Sequence, residues 1–331
     1  MATENPTSRT ITPWIALFII IAAASLPFFY HLDNWHPTVM RYLRHLAVIT
    51  TVDPSAPAVF DPTPFAWSHI LRQNHHVFLQ EFQQFRKNAS LTNYVDVTPP
   101  DIHDANPDKQ WKLAYLMLHG RPFDLSRAFP KSMEVIRQVQ QYVTVTYAAI
   151  SLLEPGTHLT PHHASYEPTN NYHLALLTPP EDAPGLCELY VWQDRPWYHG
   201  PGNYTMGFER GDVHVSIPDE TYHPKTTIKW QAGHDYMFDN MATHEAINTT
   251  PYDRIVLILS VWRDYGYWFW GIQDGVWIPS GLTLAEWTNR AYFWFIQMDP
   301  HIDQLYAYFD WKQAWVDANG VIMPKTEQDQ P

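Results

Sequence analysis

The sequence holds a single cysteine, Cys187, in 331 residues. No intrachain disulfide can form, and zinc modules built on cysteine are excluded. Glycine is scarce at 13 residues against 28 prolines, which points to fixed turns and short strands rather than long helices. Positive charge is short as well. The 21 Lys and Arg face 34 Asp and Glu, a formal net charge of −13. No Lys/Arg cluster interrupts this balance, so a nucleic-acid partner is not expected, because phosphate binding needs a basic face.

Apolar and aromatic residues are plentiful. Hydrophobic side chains make up 45% of the chain and aromatics 15%, enough to build a core and too much for large-scale disorder. The 18 His are the residues that sulfur-free transition-metal sites use most.

One long uncharged stretch stands near the start. Residues 14–30 (WIALFIIIAAASLPFFY) approach the ~20 residues a helix needs to cross a bilayer. We read them as a single-pass transmembrane anchor. A cleaved signal peptide is the competing reading, with Ala22-Ala23-Ala24-Ser25 resembling a cleavage site. Arg9 on one side and Arg41 and Arg44 on the other leave sidedness open. N-x-S/T triplets at Asn88, Asn203 and Asn248 suit a lumenal domain, so an endomembrane of the endoplasmic-reticulum kind is favoured.

Beyond the anchor, residues 66–90 carry a helical rhythm of Ile70, Val77, Phe78, Phe82 and Phe85, and Ser132 to Tyr142 forms a second expected helix. From Val143 the pattern turns to strands: VTVTYAAISLL, HLALLT, CELYVW, DVHVSI, HDYMFD and RIVLILSVW. Short β-branched and aromatic runs broken by Pro, Gly and Asp predict an antiparallel β-domain. From Tyr265 onward the chain is dense in Trp, Tyr and Phe, expected to form a cap over the barrel or an apolar wall at a membrane or greasy substrate.

Two strings carry the chemistry. In SLLEPGTHLTPHHASYEPTNNYHLALL a strand enters a Pro-Gly turn and returns with His162 on the next strand, with His173 eleven residues later. In WQAGHDYMFDNMATHEAINTTPYDRIVLILSVWR, His244 precedes Arg254 by ten residues. Two His on strands far apart in sequence can meet across a double-stranded barrel, as in jelly-roll oxygenases. An Arg on the next strand can reach the same interior, where its planar fork suits a carboxylate.

These strings resemble the aspartyl/asparaginyl β-hydroxylase family of iron- and 2-oxoglutarate-dependent dioxygenases over roughly residues 147–263. The resemblance implies that His162 and His244 are the Fe(II) ligands, that Arg254 pairs with the distal carboxylate of the cosubstrate 2-oxoglutarate, and that Ser151 and His173 help to hold it. O2 is the oxidant. The family's pocket has a further Arg two residues before the His173 position, where this chain has Asn171. Ala164 stands where most oxygenases of this barrel type have a metal-binding carboxylate, and the resembled family likewise lacks one.

The expected fold is therefore mainly β with flanking helices: a double-stranded β-helix (jelly-roll or cupin-like) barrel plus one N-terminal transmembrane helix. Its parts would be an N-terminal tail (1–13), the anchor (14–30), a Pro-rich connector (31–65), an oxygenase domain (66–264) with its barrel in 143–264, and the aromatic cap (265–331). The implied function is a membrane-anchored dioxygenase that hydroxylates an Asp or Asn side chain of a polypeptide, or another membrane-associated substrate. A lipid acyl-chain hydroxylase of the same family is one alternative. A non-catalytic accessory membrane protein that keeps the barrel is another. Partners would be the polypeptide or lipid substrate, the membrane through residues 14–30, and membrane proteins. Residues 174–235, Pro- and Trp-rich, read as an insertion that shapes a different entrance.

Overall fold

The computed structural model describes residues 57–89, 92–93, 111–164, 169–194, 212–214 and 217–262, with short pieces at 306–307, 315–316 and 322–323. The proposed anchor at 14–30, Asn203 and most of the aromatic cap lie outside the described residues, and no described helix is long and apolar enough to cross a membrane.

In chain order the elements are β1 (Val59–Phe60), α1 (Ala66–Gln73), α2 (His75–Asn88), β2 (Thr92–Asn93), β3 (Trp111–Leu118), β4 (Arg121–Pro122), a 3-10 turn (Asp124–Ala128), α3 (Pro130–Val139), β5 (Val145–Leu153), β6 (Thr157–Ala164), β7 (Thr169–Leu177), β8 (Cys187–Trp192), β9 (Asp212–His214), β10 (Lys225–Lys229), β11 (Asp235–Asp239), β12 (His244–Asn248), β13 (Arg254–Trp262), β14 (Trp315–Val316) and β15 (Ile322–Met323).

The expected single helix over 66–90 is broken at Asn74. Its backbone leaves the helical region, and its Nδ2 donates to the Ile70 carbonyl at 2.8 Å, so α1 ends and α2 begins at His75. Helix α3 starts two residues earlier than expected, with Pro130 in the first turn, where its missing N–H is no loss. The Glu81 carboxylate of α2 accepts the Lys131 and Ser132 N–H groups at 3.0 and 2.8 Å, satisfying donors that the α3 N-terminus leaves open.

Eight strands form one sheet in the order β1-β11-β7-β13-β5-β3-β2, with β4 against β3. Five form a second sheet, β10-β8-β12-β6-β9. Every pairing in both is antiparallel. The larger sheet extends beyond the expected 143–264, taking β3 from upstream and β1 from the connector.

All nine residues of β13 are buried, because this central strand has β5 and β7 at its edges and packing on both faces. One face meets the helices: Leu257, Leu259 and Val261 join Trp67, Leu71, Phe78, Phe82, Phe85 and Ile136. The other meets the second sheet: Val256 and Ile258 join Leu159, Leu189, Val191, Ile228 and Ala246. A strand buried on both faces reads as a continuous apolar run, as RIVLILSVW does. The interior between the two sheets carries the candidate site.

Candidate active site

His162 and His244 are direct register partners on β6 and β12. Their imidazole centroids lie 4.3 Å apart at 56°, and the residues are 3% and 6% exposed. A β-bulge places His162 there. From His244 to Ala246, β12 advances two residues while β6 advances three, from His162 to Leu159. Strict alternation would put Leu159, Pro161 and His163 on one face; the extra residue shifts the phase, so His162 joins Leu159 inside. Pro161 fits this irregularity because it has no N–H to lose from a ladder. At the strand entry Gly156 has φ +82°, a conformation glycine adopts without strain, and its N–H donates to the Asn248 carbonyl at 2.8 Å.

Each imidazole is oriented by its own strand. His162 Nδ1 lies 2.7 Å from the Thr160 carbonyl oxygen, and His244 Nδ1 lies 2.9 Å from that of Ala242. A carbonyl can only accept, so Nδ1 carries a proton in both rings, which leaves Nε2 as the nitrogen able to take a metal. Burial, reinforced by His162 nearby, holds His244 well below the ordinary histidine value, so the ring is neutral and competent to ligate a metal. Metal-ligating His residues commonly donate their other N–H to a carbonyl in this way. The nearby carboxylates of Glu245 and Asp239 have partners other than the two imidazoles. Glu245 pairs with His158 at 2.5 Å, and Asp239 Oδ1 accepts the Met241 N–H at 2.9 Å. Among the described residues no cluster of three or more His, Cys, Asp or Glu forms a metal-binding group. Ala164 is the last residue of β6.

Phe238 of β11 touches both His244 (ring centroids 5.0 Å) and His173 of β7 (5.1 Å), linking the pair to a second cluster. There His173 stacks on Trp230 at 6.4 Å and 20°, and the Arg254 guanidinium carbon lies 4.3 Å from the centre of the Trp230 ring. Arg254 is 2% exposed, and its Nε and Nη1 are buried without a hydrogen-bond partner among the described residues. Burial lowers the guanidinium to about 9 from its usual 12.5, still protonated at neutral pH. His173 is driven down to about 3, first by burial and then by the Arg254 charge, and is neutral. Among the described residues, nothing compensates the positive charge this cluster carries.

Ser151 of β5 is fully buried and accepts the Trp111 indole N–H at 3.0 Å, so its hydroxyl is already engaged inside the fold. Asn171 of β7 is tied on both sides of its amide: Nδ2 donates to Asn240 Oδ1 at 2.5 Å, and Oδ1 accepts from Ser260 Oγ at 3.0 Å.

The barrel thus gathers His162 and His244 at one point and Arg254 and His173 at another. Sequence reasoning missed Trp230, which follows β10, and the partners Asn240 and Ser260. The expected strand CELYVW is β8 (Cys187–Trp192), lying between β10 and β12 and pairing Val191 with His244, so this part of 174–235, read also as an insertion, is barrel wall. A further buried carboxylate, Asp194, accepts both the N–H and the hydroxyl of Thr243, the residue before His244, at 2.9 and 2.8 Å.

The aspartyl/asparaginyl beta-hydroxylase family model matches residues 72–204 and 215–264, more than half of the chain. The chain belongs to this family. One curated relative of this hydroxylase-family chain is the ornithine lipid ester-linked acyl 2-hydroxylase of Rhizobium tropici, 22% identical over 206 residues. That match covers 61% of this chain and 59% of the relative, so the chain spans about three fifths of the relative's length. Among solved structures, similarity extends to the epimerase SnoN in complex with Fe3+, alpha ketoglutarate and nogalamycin RO. The TM-score is 0.40 at 12% identity, covering 68% of this chain and 84% of that one. It extends also to a prolyl hydroxylase from Trichoplax adhaerens, with TM-score 0.35 at 11% identity, covering 72% and 96%. Likeness at these scores is loose, and the fold described above rests on the strand pairing itself.

Proposed function

We propose that the chain is an Fe(II)- and 2-oxoglutarate-dependent hydroxylase whose metal is held by His162 and His244. The observation that carries this is Arg254, a buried guanidinium with no counter-ion among the described residues, in the same barrel interior as two imidazoles that backbone carbonyls orient. An isolated buried charge costs several kcal/mol, about 3–5 kcal/mol when a pair is broken, so a scaffold with no anion to bind would gain by losing it. This weighs against the non-catalytic reading.

The residues present fit both groups. His162 and His244 offer Nε2 lone pairs toward a transition metal. Arg254 matches the distal carboxylate of 2-oxoglutarate, while neutral His173 adds no competing charge. Ser151 and Asn171 line the same interior faces of β5 and β7 as pocket walls, each held by its own hydrogen bonds. When bound, iron and 2-oxoglutarate supply the O2 activation needed to hydroxylate an unactivated C–H bond. The chain keeps the ligand rings fixed, supplies the charge at Arg254 and excludes water with Phe238, Trp230 and the apolar wall of β8 and β12.

For the substrate, the family's description supports an Asp or Asn side chain of a polypeptide. The name of the Rhizobium tropici relative favours a second reading, the acyl chain of a membrane lipid. Residues 14–30 as a membrane anchor, with an endomembrane location, would bring either substrate within reach. Incubation with Fe(II), 2-oxoglutarate and O2, followed by mass spectrometry of added peptides and of lipid vesicles, separates the two. A +16 Da product in peptides supports the first, one in an acyl chain the second, and none in either counts against hydroxylation.

A further inference from the structure

Four polar atoms in one buried cluster have no hydrogen-bond partner among the described residues: Arg254 Nε and Nη1, Trp230 Nε1 and His173 Nδ1. They belong to three side chains in sequence of contact, guanidinium over indole and imidazole stacked on indole. Trp230 is 6% exposed, so water does not readily serve its N–H. Interiors rarely leave such donors unmet, and a cluster of unmet donors around an unpaired cation describes the shape of a missing anion. Two neighbouring polar side chains of this interior are committed already. The Asn171 amide is held by Asn240 and Ser260, and the Ser151 hydroxyl by Trp111.

We propose that Trp230 is a specificity-determining residue of the cosubstrate pocket, using two parts of one side chain. Its ring face supports the Arg254 guanidinium, and its Nε1–H supplies a neutral donor to the terminal carboxylate that Arg254 pairs with. The inference rests on the reading of the barrel interior as a 2-oxoglutarate site. It makes the pocket selective for 2-oxo acids that carry a second carboxylate, through one ionic and one indole contact. A plain cation–π platform would select for nothing, because any aromatic ring provides it.

Trp230→Phe separates the two roles, since phenylalanine keeps a ring face and has no N–H. Calorimetric titration of the Fe(II)-loaded protein without oxygen would use 2-oxoglutarate and 2-oxobutyrate, which lacks the distal carboxylate. The expected result is that W230F weakens 2-oxoglutarate binding by about tenfold, the loss of one hydrogen bond to a charged group, and leaves 2-oxobutyrate unchanged. Equal affinities of W230F and parent for 2-oxoglutarate, or equal losses for both ligands, would overturn the proposal. A parent protein that binds no 2-oxoglutarate would overturn the underlying site reading instead, and this inference with it.

The unmutated protein gives a second readout that does not depend on how W230F folds. With Zn(II) as a diamagnetic metal, at least one of the 15 tryptophan indole N–H resonances should move downfield on addition of 2-oxoglutarate and not on addition of 2-oxobutyrate. Indole resonances that stay in place when 2-oxoglutarate is bound would contradict the proposed contact.

Discussion

His162 and His244 sit directly opposite each other on paired antiparallel strands, and they do so because β6 carries one residue more than β12 between this pair and the Leu159–Ala246 pair. The extra residue sets which face His162 occupies. Deleting Thr160 should remove the bulge and leave His162 two residues after Leu159, still on the interior face by strict alternation, but without the carbonyl that orients its ring. Iron affinity after anaerobic loading should fall by about tenfold to a hundredfold, while the far-ultraviolet circular dichroism of the sheets is kept. Undiminished iron affinity in the deletion variant would show that the Thr160 carbonyl does not orient the ligand.

Arg254 is destabilising until it is paired. Arg254→Met should leave the ligand-free protein as stable as the parent or more so, since an apolar chain of similar length replaces an uncompensated buried charge. The same substitution should abolish stabilisation by ligand. At 100 times its dissociation constant, 2-oxoglutarate should raise the stability of the Fe(II)-loaded parent by about 2.7 kcal/mol, a few degrees in melting temperature, and that of R254M not at all.

His173 makes stability depend on pH with a definite sign. Its value falls from 6.5 to about 3 on folding, so the unfolded chain binds the proton and the folded chain does not. The contribution is fully present above pH 6.5 and is lost as pH falls from 6.5 towards 3, by about 1.4 kcal/mol per unit. Urea unfolding at pH 7 and pH 5 should show a loss smaller by roughly 2 kcal/mol in His173→Gln than in the parent. Burial lowers His244 in the same direction, so some slope remains in the variant. Parallel losses in the two proteins would exclude His173 as a source.

Asn248 has a structural role that its N-x-T context hides. It is fully buried; Nδ2 contacts the carbonyls of Leu153, Glu154 and Tyr252, and Oδ1 accepts from Thr250. These bonds tie the β12–β13 turn to the end of β5. Asn248→Ala should destabilise the protein by about 3 kcal/mol, through carbonyls left unmet. In a glycosylating host Asn248 should remain unmodified in the folded protein, whereas Asn88, exposed on the last residue of α2, is open to modification. Glycan mapping by mass spectrometry checks both positions.

Much of this arrangement was legible in the sequence where pattern and burial coincide. The run RIVLILSVW announced β13 because both its faces are covered, and the two His strings placed their residues on facing strands. Strand β10, KTTIK, was invisible because four of its five side chains are exposed and only Ile228 enters the interior. With β10 unread, Trp230 at its end had no address, although Arg254, which rests on it, was anticipated. Strand β3, WKLAYLML, is apolar throughout from Leu113 onward, a pattern that periodicity does not separate from a buried helix. The bulge in β6 left no sign beyond Pro161, since a phase shift of one residue is a property of the pairing and not of either strand.

The most direct test of the two-histidine site is release of succinate from 2-oxoglutarate, measured with Fe(II) and O2 for the parent, His162→Ala and His244→Ala. The account predicts iron-dependent succinate from the parent and none above background from either variant, with the folded state of both preserved. Succinate formed at the parent rate by both variants would contradict it.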